Sequence, residues 1–173
     1  MIVGLVSDTH GRFDSALPRI FRGCDLIVHA GDVVGPEILH QLAALAPVKA
    51  VRGNCDVGEL GAGLTETLVL RFGDWRALVV HDLGKPEHPS RGVRDAIAEA
   101  GARLVIHGHS HQPVAQVIDR VFYVNPGSAG PRRFRLPRCA GILVVEEKKA
   151  RVELFDLDLP ELPRLFAPVE AVL

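Results

Sequence analysis

Residues 65–82, TETLVLRFGDWRALVVHD, decide the fold. They read as two strands folded back at Gly73-Asp74, a dipeptide that suits the tight turn of an antiparallel hairpin. Upstream the pattern is different. IVGLVSD (residues 2–8) is a β-branched, nearly continuous apolar run, as expected of a strand buried on both faces. FDSALPRIFRG (13–23) reads as a helix interrupted near Pro18 and stopped at Gly23, and DLIVHAGD (25–32) as a second buried strand. PEILHQLAAL (36–45) is a helix with Pro36 in its first turn, and VKAVRGN (48–54) a third strand. Strand, helix, strand, helix, strand is the signature of a parallel α/β sheet, and the hairpin at 65–82 breaks it, so the sheet becomes mixed there. Downstream come a helix at about 89–100 and the strand RLVIHGH, then short strands at AQVI, VFYVN, AGILVVEE and ARVELFDL, the last two flanking KKA as a second hairpin. An α/β first half and a β-rich second half fit two packed sheets with helices outside.

The totals bound the answer. A chain of 173 residues fits one domain with a core of ordinary size. It is 47% apolar and 24% charged with 17 glycines and 12 prolines, a globular composition rich in loops. The formal net charge of −1 argues against general nucleic-acid binding. Cys24, Cys55 and Cys139 are odd in number and far apart, neither a disulfide framework nor a Cys-x-x-Cys zinc pattern, so a reducing compartment is expected. The leading apolar run is too short for a signal peptide and no stretch approaches about 18 consecutive apolar residues, which predicts a soluble, cytoplasmic protein without membrane contact. The Pro-rich, apolar tail DLPELPRLFAPVEAVL is expected to pack on its own domain, cover a sheet edge or meet another subunit, which leaves a homo-oligomer open.

Each buried strand ends in the same kind of residue. VSDTH supplies Asp8 and His10, HAGD supplies Asp32, VRGN supplies Asn54, VVHD supplies His81, and HGHSH supplies His109 and His111. In open α/β sheets ligands bind beyond the carboxyl ends of the strands, so these side chains should converge. Taken singly, each has a bland account: a helix cap, a turn, a hydrogen-bonded core histidine. Taken together that account fails, because five strand ends would carry ligand-type side chains by coincidence, and burying Asp8 and Asp32 without cations would cost several kcal/mol each. Seven side chains are too many for one tetrahedral zinc and suit two metals sharing a carboxylate. A mixed nitrogen and oxygen set suits manganese, iron, cobalt, nickel or zinc better than magnesium or calcium.

The ordered motifs Asp-x-His, Gly-Asp, Gly-Asn, His and Gly-His-x-His resemble the calcineurin-like metallophosphoesterases over residues 1 to about 156. The short length, GNCD and NPGSAGPRR are most similar to the small YfcE-like phosphodiesterase branch. The resemblance implies a four-layer α/β/β/α sandwich over residues 1–156, with 157–173 as the tail. It also implies one metal held by Asp8, His10, Asp32 and His111 and another by Asp32, Asn54, His81 and His109, with Asp32 bridging and manganese the first choice. Many relatives carry a histidine after Gly-Asn that protonates the leaving group; this chain has Cys55 there, so good leaving groups or another donor are expected. Asp56 then has no histidine to orient and is expected to cap the next turn. Where relatives often have His-Gly, this chain has His81-Asp82. His107 belongs to the apolar run and is assigned to the core or a supporting position, not to a metal.

The expected activity is metal-dependent hydrolysis of small phosphate esters, phosphodiesters before monoesters. Two divalent cations and a bridging hydroxide set against Asp8 and Asp32 leave a local excess of about one positive charge, which attracts a phosphate ester, and the hydroxide attacks phosphorus in line. Arg12, Arg132 and Arg133 stay outside the expected site, since an exposed arginine is usually only solvated. The alternative is a protein-interaction scaffold, as in a retromer relative of the same fold; the full set of seven ligand types weighs against it.

Overall fold

The computed structural model describes residues 1–173. Strands β1 (Ile2–Val6), β2 (Leu26–His29) and β3 (Val48–Ala50) run parallel, with the one-turn helix α1 (Leu17–Ile20) and α2 (Pro36–Ala43) as crossovers. A third short helix, α3 (Gly58–Gly63), leads into the hairpin β4 (Thr67–Phe72) and β5 (Trp75–Val80), whose register pairs Phe72 with Trp75 across Gly73-Asp74. A two-residue ladder, β6 (Gly84–Lys85) with β7 (His88–Pro89), precedes α4 (Arg91–Ala100). Then follow β8 (Leu104–Ile106), β9 (Val114–Ile118), β10 (Val121–Asn125), β11 (Cys139–Glu146), β12 (Lys149–Asp156) and β13 (Val169–Val172). One sheet has the order β13-β12-β11-β1-β2-β3 and the other β4-β5-β8-β10-β9, both mixed.

Three apolar clusters mark the interfaces between four layers. Val3, Leu5, Val28, Val79, Ile106 and Leu143 meet between the two sheets. Val6 and Ile27 turn the other way, onto Leu17 and Phe21 and onto Ile38 and Leu42 of α2. Leu78, Val80 and Val105 turn outward onto Val93 of α4. Alternate residues of one strand thus serve two interfaces, which is why β1, β5 and β8 read as near-continuous apolar runs. The result is the α/β/β/α sandwich, and it places the carboxyl ends of β1, β2 and β3 beside those of β5 and β8.

The local differences from the sequence reading have local causes. The first helix shrinks to one turn because Asp14 Oδ1 accepts from Ala16 N (2.9 Å), a turn that consumes the residues before Pro18. Helix α3 has no local signal, since its GELGAG has three glycines in six residues, against any helix propensity. The helix expected at about 89–100 starts after Ser90, whose Oγ accepts from Val93 N, and stops at Gly101 with φ 58°. The tail adds β13 antiparallel to β12, Ala150 opposite Ala171, and Leu165, Phe166 and Val169 pack on the core between the sheets. No helix is long and apolar enough to cross a membrane, and all three cysteines are free.

Candidate metal centre

The chain leaves each of the five strands through a tight loop, and the loops are stitched together by backbone: Asp8 N donates to Gly31 O (2.9 Å), His10 N to Asp32 O (3.0 Å) and Gly108 N to His81 O (3.0 Å). Asp8, His10, Asp32, His109 and His111 all adopt positive φ, between 47° and 66°. Left-handed backbone at a residue with a side chain costs on the order of 1 kcal/mol each and persists where the surroundings over-determine it, typically at a working site. Close approach is built in: a Cβ on Gly108 would strike Ser7 Oγ and Asp8 Oδ2, and one on Gly53 would strike the backbone and carboxylate of Asp32.

The seven side chains meet. His111 Nε2 stands 3.2 Å from Asp8 Oδ1 and 3.4 Å from His10 Nε2, whose ring stacks on that of His111. His10 Nε2 lies 3.7 Å from Asp32 Oδ2, while Asp32 Oδ1 lies 3.5 Å from His81 Nε2. Asn54 Oδ1 is 3.1 Å from His81 Nε2 and 3.0 Å from His109 Nδ1. The two oxygens of Asp32 therefore face two different groups of donors, Asp8, His10 and His111 on one side and Asn54, His81 and His109 on the other.

Residues that sequence reading did not select hold this set in place. Ser7 Oγ donates to Asp8 Oδ2 (2.6 Å) and His109 N donates to the same oxygen (3.1 Å), which fixes the carboxylate. His81 Nδ1 donates to Ala30 O (2.7 Å), leaving the Nε2 lone pair for the site. Asn125, at the end of β10, donates from Nδ2 to Gly108 O (2.8 Å) and Ser110 Oγ (3.1 Å), and Ser128 Oγ donates to Asp8 O (2.9 Å). Asp56 does more than cap a turn: its carboxylate accepts from Gly53 N and from Val34 N, both at 2.8 Å, and so ties the Asn54 loop to the Asp32 loop. The strand-end rule that picked out these seven side chains would also have picked Asn125 from VFYVN.

Burial alone would raise the carboxyl of Asp8, but the His111 ring, the Ser7 hydroxyl and the charge of His81 hold it below its ordinary value. Asp32 is likewise driven far down, against its burial, by His81 and the Cys55 N–H. Burial lowers His10, whereas Asp32 and the Ala30 carbonyl raise His81 in spite of burial. His107 is buried, with Nδ1 3.3 Å from Asn125 Nδ2, and desolvation pushes it down to about 4. The Asp82 carboxylate accepts from Gly84 N (2.9 Å) and stands 3.7 Å from His109 Nε2. Of the three arginines, Arg133 reaches the site, its Nη2 3.3 Å from His10 Nε2; Arg132 turns toward Asp158.

The residues fit metal ions on a direct geometric test. Asp8 Oδ1 is fully buried and has no hydrogen-bond partner, although His111 Nε2 is 3.2 Å away. Two ligand atoms each about 2.1 Å from one ion are separated by about 3.0 Å at a right angle and about 3.4 Å at the tetrahedral angle. The Asp8–His111 pair, spaced this way without hydrogen-bond geometry, suits two ligand atoms around a shared third atom.

Residues 1–148 match the model of the calcineurin-like phosphoesterase superfamily domain. The chain belongs to that superfamily. A probable metallophosphoesterase of Methanothermobacter thermautotrophicus is 31% identical over 165 residues, covering 92% of this chain and 95% of the relative. A phosphodiesterase of Methanocaldococcus jannaschii is 27% identical over 171 residues, covering 87% and 97%. Among solved structures, Vps29 of Entamoeba histolytica complexed with Zn2+ superposes with TM-score 0.79 at 21% identity, covering 98% of this chain and 99% of that one. The phosphoesterase YfcE of E. coli gives 0.72 at 24%, covering 100% of both. At these identities the two structures speak to the fold, which is the sandwich described above. Metal-dependent phosphoester hydrolysis is the chemistry of this superfamily, and this chain carries candidate ligand groups for it, among them Asp8 with His10 and His111, and Asp8 with Asp32 and His81. Cys55 occupies the position after Gly-Asn, its thiol pushed up by burial and by Asp32.

Proposed function

We propose that the protein hydrolyses small phosphate esters, phosphodiesters in preference to monoesters, with two divalent transition-metal ions, manganese first and iron, nickel, cobalt or zinc as substitutes. The observation that carries this reading is Asp32, whose two carboxylate oxygens face separate donor groups, one toward His10 and one toward His81. Asp8, His10, Asp32 and His111 would hold one ion and Asp32, Asn54, His81 and His109 the other. When bound, the ions supply Lewis acidity toward phosphoryl oxygens and acidify water at neutral pH, so no protein nucleophile is required.

The chain's own residues have defined tasks. Ser7 and the His109 N–H hold Asp8 Oδ2 inward so that Oδ1 faces His111. Ala30 O keeps the proton of His81 on Nδ1. Arg133 offers its guanidinium to a phosphoryl oxygen at the His10 edge. No histidine replaces Cys55 as leaving-group acid, and a thiol raised in pKa donates poorly, which favours esters of acidic alcohols such as phenols. The name of the archaeal phosphodiesterase relative supports the diester preference.

The test is initial-rate hydrolysis of bis-p-nitrophenyl phosphate and p-nitrophenyl phosphate with added Mn2+. Faster turnover of the diester, abolished by chelation, is expected; equal rates for the monoester overturn the preference, and no turnover of either with any of the five metals overturns the enzyme reading. The likeness to Vps29 favours one alternative, a protein-interaction scaffold on the same fold. The complete set of seven ligand-type side chains weighs against it.

A further inference from the structure

Phe134 is 94% exposed, the most exposed large apolar side chain in the molecule, and it adopts φ 53°, a conformation a bulky residue takes at a cost. It sits in RRFR (132–135), beside the one arginine that touches the candidate ligands. The base of this loop is clamped: buried Arg138 donates from Nε to Gly130 O (2.8 Å), pairs through Nη2 with Asp14 and lies 3.4 Å from Asp158. At the tip, Leu136 N donates to Arg133 O (3.2 Å) and Arg132 Nε to Leu136 O (3.3 Å). An anchored loop therefore carries an unburied ring one residue along the chain from a cation that reaches the His10 edge.

Two loops of the ligand-type residues also carry exposed apolar side chains. Val34, 45% exposed with φ 67°, follows Asp32, and Val57, 77% exposed, follows Asp56, whose carboxylate joins the two loops. The opposite edge is different: a cavity of about 310 Å³ beside Asn54, His81 and His109 is walled by Arg52, Glu66 and Asp82. Arg133, with Phe134 next in the chain, adjoins the His10 side of the cluster, and the charged cavity adjoins the Asn54, His81 and His109 side.

We propose that Arg133 and Phe134 form a recognition platform for phosphate esters whose alcohol carries a planar aromatic ring, a nucleobase being the fitting chemistry: Arg133 takes a phosphoryl oxygen and Phe134 stacks on the ring. This deepens the phosphoesterase reading and rests on it for the place of the phosphoryl group. Stacking one base on one aromatic side chain is worth about 5- to 150-fold in affinity. Arg133 acts on the phosphoryl group whatever the alcohol, so the two residues have separable signatures.

The experiment measures binding by calorimetry on the Mn2+-loaded full chain, with adenosine 5′-monophosphate and methyl phosphate as probes. The expected result is that wild type binds the nucleotide at least about 5-fold more tightly than methyl phosphate. Phe134→Ala should remove that advantage while holding methyl phosphate within about two-fold, Phe134→Trp should restore it, and Arg133→Gln should weaken both probes by a similar factor. An unchanged nucleotide affinity in Phe134→Ala, or an equal loss for both probes, overturns the proposal; the second outcome marks the loop as a general element of the site or a seat for another protein. Binding needs no turnover, so the two readings fail separately. If wild type hydrolyses no ester yet binds the nucleotide through Phe134, the platform stands and the hydrolase reading falls. If it hydrolyses esters with no Phe134-dependent preference, the reverse holds.

Discussion

Ser7→Ala is the sharpest probe of how the fold prepares the metal centre, because it removes one oxygen atom from a residue that is not itself a ligand. Asp8 is fully buried, and its Oδ2 accepts from Ser7 Oγ at 2.6 Å and from His109 N at 3.1 Å. Its Oδ1 has no hydrogen-bond partner and faces His111. Without the hydroxyl, Oδ2 keeps one donor and the carboxylate can turn, so that Oδ1 no longer meets His111 at a ligand spacing. A hydrogen bond to a charged group is worth about 1.5–3 kcal/mol. On the metal-free protein this lowers the melting temperature by about 3–12 °C, at about 2–4 °C per kcal/mol for a chain of this size. Loss of an orienting partner of this kind weakens metal binding by about 10- to 100-fold. Thermal unfolding in chelator gives the first quantity and competition with a metallochromic dye for Mn2+ the second, with Ser15→Ala, on the exposed surface, as the control. Wild-type Mn2+ affinity in a folded Ser7→Ala protein would refute the claim that Ser7 sets the Asp8 carboxylate.

Two further predictions concern buried groups that are not proposed ligands. Desolvation depresses His29, fully buried with Nε2 3.0 Å from Thr9 Oγ1, from 6.5 to about 4. Below pH 6.5 the unfolded chain takes up a proton that the folded one refuses. The stability that neutral His29 contributes is therefore whole above pH 6.5 and drains away as pH falls toward 4, by about 3 kcal/mol. Urea unfolding of the metal-free protein at pH 7, 6, 5 and 4 should show that slope in wild type and its loss in His29→Gln; parallel curves contradict it. Arg138→Met leaves Asp14, itself 8% exposed, without its cation, and should destabilise the fold by about 3–5 kcal/mol. Arg138→Met with Asp14→Leu should recover much of that loss, and a double variant no more stable than the single one argues against the ion pair as the cause.

Much of this molecule is legible in its sequence, for reasons that can be located. The layers are readable because Val3 and Leu5 face one way and Val6 the other, so that a strand serving two cores must be apolar throughout. The ligand-type residues are readable because parallel strands end at one side of a sheet. What is not readable is tertiary in origin. The helix α3 forms in a glycine-rich segment, and Gly61 lies where any Cβ would strike Asp56 O, a contact invisible to local propensity. Asp56 itself looks like a turn cap until the fold brings Val34 N to its other oxygen. The left-handed backbone at five of the seven ligand-type residues has no sequence signature, since Asp and His tolerate that region but do not require it.

Two ions sharing Asp32 would be the working form of the proposed site. Equilibrium dialysis against Mn2+ followed by metal analysis, run on wild type and Asp32→Ala with circular dichroism to verify folding, tests it most directly. The prediction is two ions per wild-type chain, with aryl phosphodiester turnover only in the loaded protein, and loss of both ions and turnover in a folded Asp32→Ala. Undiminished turnover after complete chelation, or an Asp32→Ala protein that keeps two ions and wild-type rate, would contradict it.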